Sequence, residues 1–234
     1  IADTARKLVE MNGYSDTIEV IQAYIEEVDI PTRKIDIIIS EWMGYFLFYE
    51  DLLPAVLTFR DRYLSPNGVI FPSRARLWSG LYSDTQWEES RIGYWKDVYG
   101  FDYSPIVPKL KKEQFSAPER QHLKPDGIIS KHMLLADLNL YKTTHNDIEE
   151  IASTLSFTFL NNATIHGIAF WFDVDFEGPE VSVRLDTSPS SGYTSFEQII
   201  WYLSTPFHAH TGDTVKGGFS IRRGSTCKLL IKNS

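Results

Sequence analysis

The sequence predicts an α/β layer followed by a mostly β half, with an irregular insertion between them. Three observations carry that expectation. The first 71 residues hold helical patterns and a short apolar run, "KIDIIIS" (34–40), of the kind buried in a parallel sheet. From residue 155 onward, short alternating or apolar runs recur between Gly, Pro, Asn and Asp, the pattern of an antiparallel sandwich or barrel. Between the two lies polar, proline-punctuated sequence, 85–127, that is dense in aromatics. With 234 residues, 43% of them hydrophobic, the chain can bury a sizeable core.

In chain order, "IADTARKLVEMNG" (1–13) sets Ala5, Leu8, Val9 and Met11 at helical spacing, with Asn12-Gly13 as a stop. It has no initiator methionine, so the chain reads as a fragment. "TIEVIQAYIEEV" (17–28) reads as a strand running into a turn. "EDLLPAVLTFRDRYL" (50–64) carries Leu53, Val56, Leu57, Arg60 and Leu64 at helical spacing. Pro54 has no amide hydrogen and belongs in a first turn, so this helix is expected to start near Glu50. "SPNGVIFPSRARLWSGLYSD" (65–84) predicts a turn at Pro66-Asn67-Gly68, a strand, a bend at Phe71-Pro72, and a second strand. The insertion begins with a helical stretch in which Trp87, Tyr94, Trp95, Val98, Tyr99 and Phe101 make an aromatic face. That face is either the lid of its own core or an interface, and composition leaves both open. "LSFTFL", "ATIHGIAFWFDVDFEG", "EVSVRLDTS", "QIIWYLSTPF", "DTVKGGFSIRR" and "CKLLIK" supply the remaining strands.

A net charge of −8 argues against a nucleic-acid surface and favours cationic partners. The single cysteine, Cys227, excludes an internal disulfide and fits the cytosol or nucleus. Its setting, "TCKLLIK", alternates like a strand, so a core thiol is expected. No apolar run approaches the ~20 residues that span a bilayer, and no signal peptide is recognisable. His208 and His210 would share one side of a strand, but without a third ligand at a fitting spacing they read as surface residues, and no metal is expected.

The stretch "SEWMGYFLFYE" (40–50) places two glutamates at the ends of an aromatic run. Glu41 directly follows the apolar strand, where open α/β sheets bind ligands. Glu50 sits at the start of the next helix, whose partial positive charge favours a carboxylate. Gly44 lets the intervening residues fold back. Two carboxylates brought together repel each other until a cation arrives, and a planar guanidinium matches a carboxylate pair better than an ammonium does. The plainer reading is a helix cap and a surface acid flanking core aromatics. Spacing alone leaves both readings open.

The whole string closely resembles the double-glutamate loop of the protein arginine N-methyltransferases. The resemblance extends outward: "ADTARKLVEMN" and "IEEVDIP" resemble the helix and adenine-binding segment of that family, and "LSPNGVIFPSRARL" the crossing into its β-barrel. "YWKDVYGFD" is similar to the start of its dimerisation arm, and "PFHAHTGDTVKG" to its late barrel strands. The resemblance implies the C-terminal part of a Rossmann-like, S-adenosylmethionine-binding α/β domain over 1–71. A β-barrel would follow over 72–234, with an inserted helical arm at about 86–122. It implies that Glu41 and Glu50 bind and orient a substrate guanidinium, that Tyr45 lines the arginine channel, and that Ile25 and Glu26 contact the cofactor adenine. Met43 would lie near the transferred methyl. The implied reaction gives mono- and asymmetric dimethylarginine in protein substrates, with S-adenosylhomocysteine as by-product. The implied assembly is a homodimer formed through the arm, without membrane or direct nucleic-acid contact.

Two departures qualify that expectation. The family's glycine-rich cofactor loop is missing: no G-x-G-x-G follows a strand here. A barrel loop that reads Thr-His-Trp in the family is "YTSFEQ", with Thr194, Ser195 and Phe196. Serine cannot carry a positive charge near neutral pH as histidine can. A poorly active or non-catalytic partner subunit of the same fold is therefore the alternative.

Overall fold

The structure is a computed structural model that describes residues 1–30, 35–224 and 228–232; Cys227 and its expected core position lie outside the described residues. The chain opens with helix α1 (Ala2–Met11), closed by Asn12 and by Gly13 at φ 75°. The spacing of Leu8 and Val9 does produce a helix, yet none of its residues is buried. The strand expected within 17–28 is absent. That segment is irregular and ends in a 3₁₀ turn at Ile25–Glu27. Among the described residues no neighbouring strand pairs with it, and a strand needs a partner for its backbone groups.

Strand β1 (Ile35–Ile39) pairs in parallel with β2 (Leu64–Phe71), its one partner among the described residues. Its run of isoleucines predicted burial on both faces, Asp36 notwithstanding. Ile37 and Ile39 are instead exposed, Ile39 by 76%, because only one side of this two-stranded sheet is covered. Helix α2 (Leu53–Tyr63) starts three residues later than expected, with Pro54 in its first turn. It buries Leu53, Val56, Leu57 and Arg60, and the Arg60 guanidinium donates to the carbonyl oxygens of Leu140 and Thr143. The turn expected at 66–68 lies inside β2 as an irregularity: Ile35 pairs with Leu64 while Ile37 already pairs with Val69. Gly68 is required there, since a Cβ would come within 2.9 Å of the Ile35 carbonyl oxygen. Phe71-Pro72 is the expected bend and is cis.

The rest is antiparallel. Strand β3 (Arg74–Tyr82) leads into the insertion, which contains α3 (Trp87–Arg91), α4 (Val107–Gln114) and the short strand β4 (Glu119–Gln121). Then follow β5 (Met133–Asn139), α5 (His145–Glu149), β6 (Glu150–Thr158), β7 (Ala163–Glu177), β8 (Ser182–Asp186), β9 (Gln198–Ala209), β10 (Thr214–Arg222) and β11 (Lys228–Lys232). One sheet runs β4-β9-β7-β3-β5 with β8 on β7, the other β11-β10-β6. The Ser153 hydroxyl donates to the Leu135 carbonyl between them, and both line one core.

The pleat explains why β7 is apolar on both faces. Ile168, Phe170, Phe172 and Val174 point into the barrel, while Ala169 and Trp171 join a second cluster with Trp87, Ile92 and Tyr202. The lid reading of the aromatic insertion holds for part of it, and the remaining aromatics are exposed. Trp87 is a lid, stacked on Tyr202 at 4.7 Å between ring centroids. Tyr94, Tyr99, Phe101 and Tyr103 stand exposed at the far end, Tyr99 by 93%.

Candidate active site

The loop 40–50 is anchored from the barrel side. Trp42 and Met43 are buried, Leu47 is fully enclosed, and the Phe46 ring lies 5.0 Å from Phe170 and 5.9 Å from Phe219. This burial holds an unusual backbone in place. Phe46 and Leu47 adopt φ of 58° and 62°, a left-handed region that costs side-chain-bearing residues about 1–2 kcal/mol each. The Gly44 amide donates to the Leu47 carbonyl at 3.2 Å, and the Tyr49 amide to the Tyr45 carbonyl at 3.2 Å. The loop thereby folds back on itself.

Gly44 is where the far end of the loop returns. A Cβ on it would lie 2.8 Å from both the Glu50 amide nitrogen and the Glu50 Cγ. Glu50 therefore lies alongside Gly44, and Glu41 is only three residues from Gly44, at most about 11 Å of extended chain. Both glutamates are exposed, and neither is paired with a cation or hydrogen-bonded by its carboxylate among the described residues. Glu50 is no helix cap. It precedes the cap residue Leu52, and that helix has no side-chain cap. The capping reading of the sequence thus loses its support.

The other expected site residues are less tightly gathered. Met43 is packed in the core with Trp42 and Leu47, and Tyr45 is half-buried beside it. Ile25 and Glu26 sit on the exposed 3₁₀ turn, which is tied to α2 because the Arg62 guanidinium donates to the Glu26 carbonyl oxygen. There an apolar side chain stands next to a carboxylate without a partner among the described residues. Those residues fit one edge of an adenine, an apolar ring with an amino donor, though they are only part of a cofactor site.

A cavity of ≈ 340 Å³ lies between this loop and the barrel, lined by Trp42, Leu47, Phe48, Ile148, Ile151 and Ile221 among others. Neither glutamate lines it, and Asp51 on its wall is ion-paired with Arg223 at 2.8 Å. The candidate site is therefore the open face of the loop, not this cavity. Ser195 is exposed; Thr194 donates to the Phe196 carbonyl, and the Phe196 ring packs edge-on against Phe172 at 5.0 Å. His208 and His210 come together, rings 5.2 Å apart, but no group of three metal-ligating side chains forms among the described residues.

Sequence reasoning missed Arg120. Its guanidinium carbon stands 4.4 Å from the centroid of the Tyr45 ring. Nothing in the polar stretch around it marks that contact, which only the return of β4 to the barrel creates.

A loop that folds back to bring Glu50 against Gly44, three residues from Glu41, set between a parallel strand pair and an antiparallel barrel, is a candidate cation-binding centre in an α/β-plus-barrel protein. Residues 73–228 match the arginine methyltransferase oligomerization subdomain. The chain is 39% identical to protein arginine N-methyltransferase 1 of Schizosaccharomyces pombe, over 97% of this chain and 64% of that protein. The Saccharomyces cerevisiae protein of the same name is also 39% identical, over 93% of this chain and 62% of its own. Among solved structures, an enzyme–prozyme heterotetrameric complex of Trypanosoma brucei PRMT1 with AdoHcy superposes with a TM-score of 0.81 at 27% identity, covering 99% of this chain and 77% of that one. Protein arginine methyltransferase 10 of Arabidopsis thaliana gives 0.78 at 26%, covering 99% and 78%. The chain belongs to the protein arginine N-methyltransferase family, and it spans about six tenths of the length of the yeast relatives.

Proposed function

We propose that this chain is the core of a protein arginine N-methyltransferase that methylates guanidinium nitrogens of arginines in protein substrates, giving mono- and asymmetric dimethylarginine. The observation that carries the reading is the closure of loop 40–50 at Gly44, which brings Glu50 to within three residues of Glu41, with both carboxylates exposed and unpaired among the described residues. S-adenosylmethionine, when bound, supplies a methyl group on a sulfonium, and S-adenosylhomocysteine remains. Ile25 and Glu26 would hold one edge of its adenine, and Met43, packed beneath the loop, would lie on the methyl side. Glu41 and Glu50 fix the plane of the guanidinium by paired charge-assisted hydrogen bonds and draw its positive charge away from the attacking nitrogen. Tyr45 lines the approach. As the nitrogen is alkylated its proton becomes acidic, and Glu50 accepts it.

We place the boundary between the two parts at 71/72, near the start of the family match at 73. The exposed aromatics of the insertion form a homodimer surface in this reading, and the match to an oligomerization subdomain supports it. A cytoplasmic or nuclear location accords with a single cysteine in 234 residues.

The test is methyl transfer by the full natural protein against Glu41→Gln and Glu50→Gln. Each variant is expected to lose about 10²–10³ in kcat, the scale of removing one preorganised electrostatic partner. Equal rates in all three would remove the reading. Ser195 favours a second reading, a subunit with little activity alone that assists a related enzyme. It predicts no transfer by the isolated protein and a stimulated rate on mixing with an active family member.

A further inference from the structure

We propose that Arg120 sets substrate preference at this site: its fixed positive charge disfavours target arginines flanked by further cationic residues and favours those flanked by acidic ones. The inference rests on the guanidinium-binding reading above.

Strand β4 is the edge strand of its sheet, with Arg120 opposite Ile199 and Gln121 opposite Gln198 on β9. Neighbours on a strand face opposite sides. The Gln121 amide donates to the Tyr202 hydroxyl on the insertion side at 2.8 Å, so Arg120 projects from the other face. There it meets Tyr45, 4.4 Å from the ring centroid. Tyr45 directly follows Gly44, against which Glu50 packs. Two residues along the same face, the ring of His122 lies 4.8 Å from Tyr193, in the segment that carries Ser195. Strand β4 and the residue after it thus touch both loop 40–50, at Tyr45, and the segment that carries Ser195, at Tyr193.

Arg120 is exposed, and among the described residues no carboxylate pairs with it. A guanidinium keeps its charge at every working pH. Its contact with Tyr45 brings that charge to the loop whose two acids take one cation. Residues within two or three positions of a bound arginine fall inside the Debye length of about 10 Å at 0.1 M salt. Two exposed unit charges about 8 Å apart, at an effective dielectric of about 60, between that of a protein surface and that of water, shift an equilibrium by a factor of about three. A flank changed from acidic to lysine alters the charge by two units, so the preference governed by Arg120 is about tenfold.

The experiment measures kcat/KM of the full natural protein on three peptides that share one arginine and differ in a single flanking residue: glutamate, glycine or lysine. Arg120→Gln is expected to lower the glutamate-to-lysine ratio about tenfold, Arg120→Glu to lower it further, and Arg120→Lys to preserve it. In 0.5 M salt the differences should shrink towards none. An unchanged ratio in Arg120→Gln overturns the proposal while the methyltransferase reading stands. A uniform fall on all three peptides also overturns it, since that is the signature of merely steadying Tyr45. A wild-type protein that methylates none of them removes the enzyme reading and this inference together.

Discussion

The first thirty residues and the barrel differ in where their stability comes from. Helix α1 buries nothing, while β7 keeps Ile165, Ile168, Phe170, Phe172 and Val174 inside the barrel and Trp171 under the insertion. The antiparallel sheets share one core with α2 and loop 40–50, whereas none of residues 1–30 is buried. The candidate site sits on that boundary. Its glutamates are presented from a loop whose other side, Trp42, Phe46 and Leu47, belongs to the barrel. The contrast teaches that the shape of loop 40–50 is set by the barrel, although its residues precede the barrel in the chain.

The largest expected effect tests this difference directly. Phe170→Ala should cost about 3–5 kcal/mol in urea unfolding. Leu8→Ala on α1, where the side chain is more than half exposed, should stay within about 0.5 kcal/mol. Comparable losses would break the comparison. Next in size, Gly44→Ala forces a Cβ against the Glu50 backbone nitrogen, which cannot swing aside as a side chain would. It should cost about 1–3 kcal/mol and abolish arginine-peptide binding measured by calorimetry, with the barrel's circular dichroism unchanged. The smallest effect is a pH dependence confined to the barrel. A hydrogen bond from Arg74 holds the Asp137 carboxyl below its usual range. The stability this gives is fully present above the unfolded carboxyl value of about 3.9 and is lost as pH falls through the lower folded value. Both groups are partly exposed, so the contribution is under about 1 kcal/mol. Asp137→Asn should flatten the acid limb of the stability curve by that amount and leave stability at pH 7 lower.

Local periodicity made the barrel legible: each alternating run became a strand, and Pro54 marked the start of α2 to within a turn. Segment 17–28 misled because its apolar residues have strand character, but a strand exists only where a neighbour completes its hydrogen bonds. The run 35–39 misled in the same way, since burial on two faces needs two covering layers. In the site, the acids, the aromatics and Gly44 were readable as types. The left-handed Phe46 and Leu47 were not, because large side chains argue against that conformation and only the barrel's packing enforces it. Arg120 was invisible for a related reason: its partner lies 75 positions away and meets it solely through sheet topology.

The Trp87–Tyr202 stack carries a consequence of its own. Burial raises the pKa of the Tyr202 phenol, which donates to Asp84 and accepts from Gln121, so the ring beneath the insertion is fastened to both of its flanks. An indole clamped over a phenol in this way works as an internal optical gauge. Lifting the flap would wet Trp87 and shift its emission to longer wavelength, revealing the motion without any attached dye.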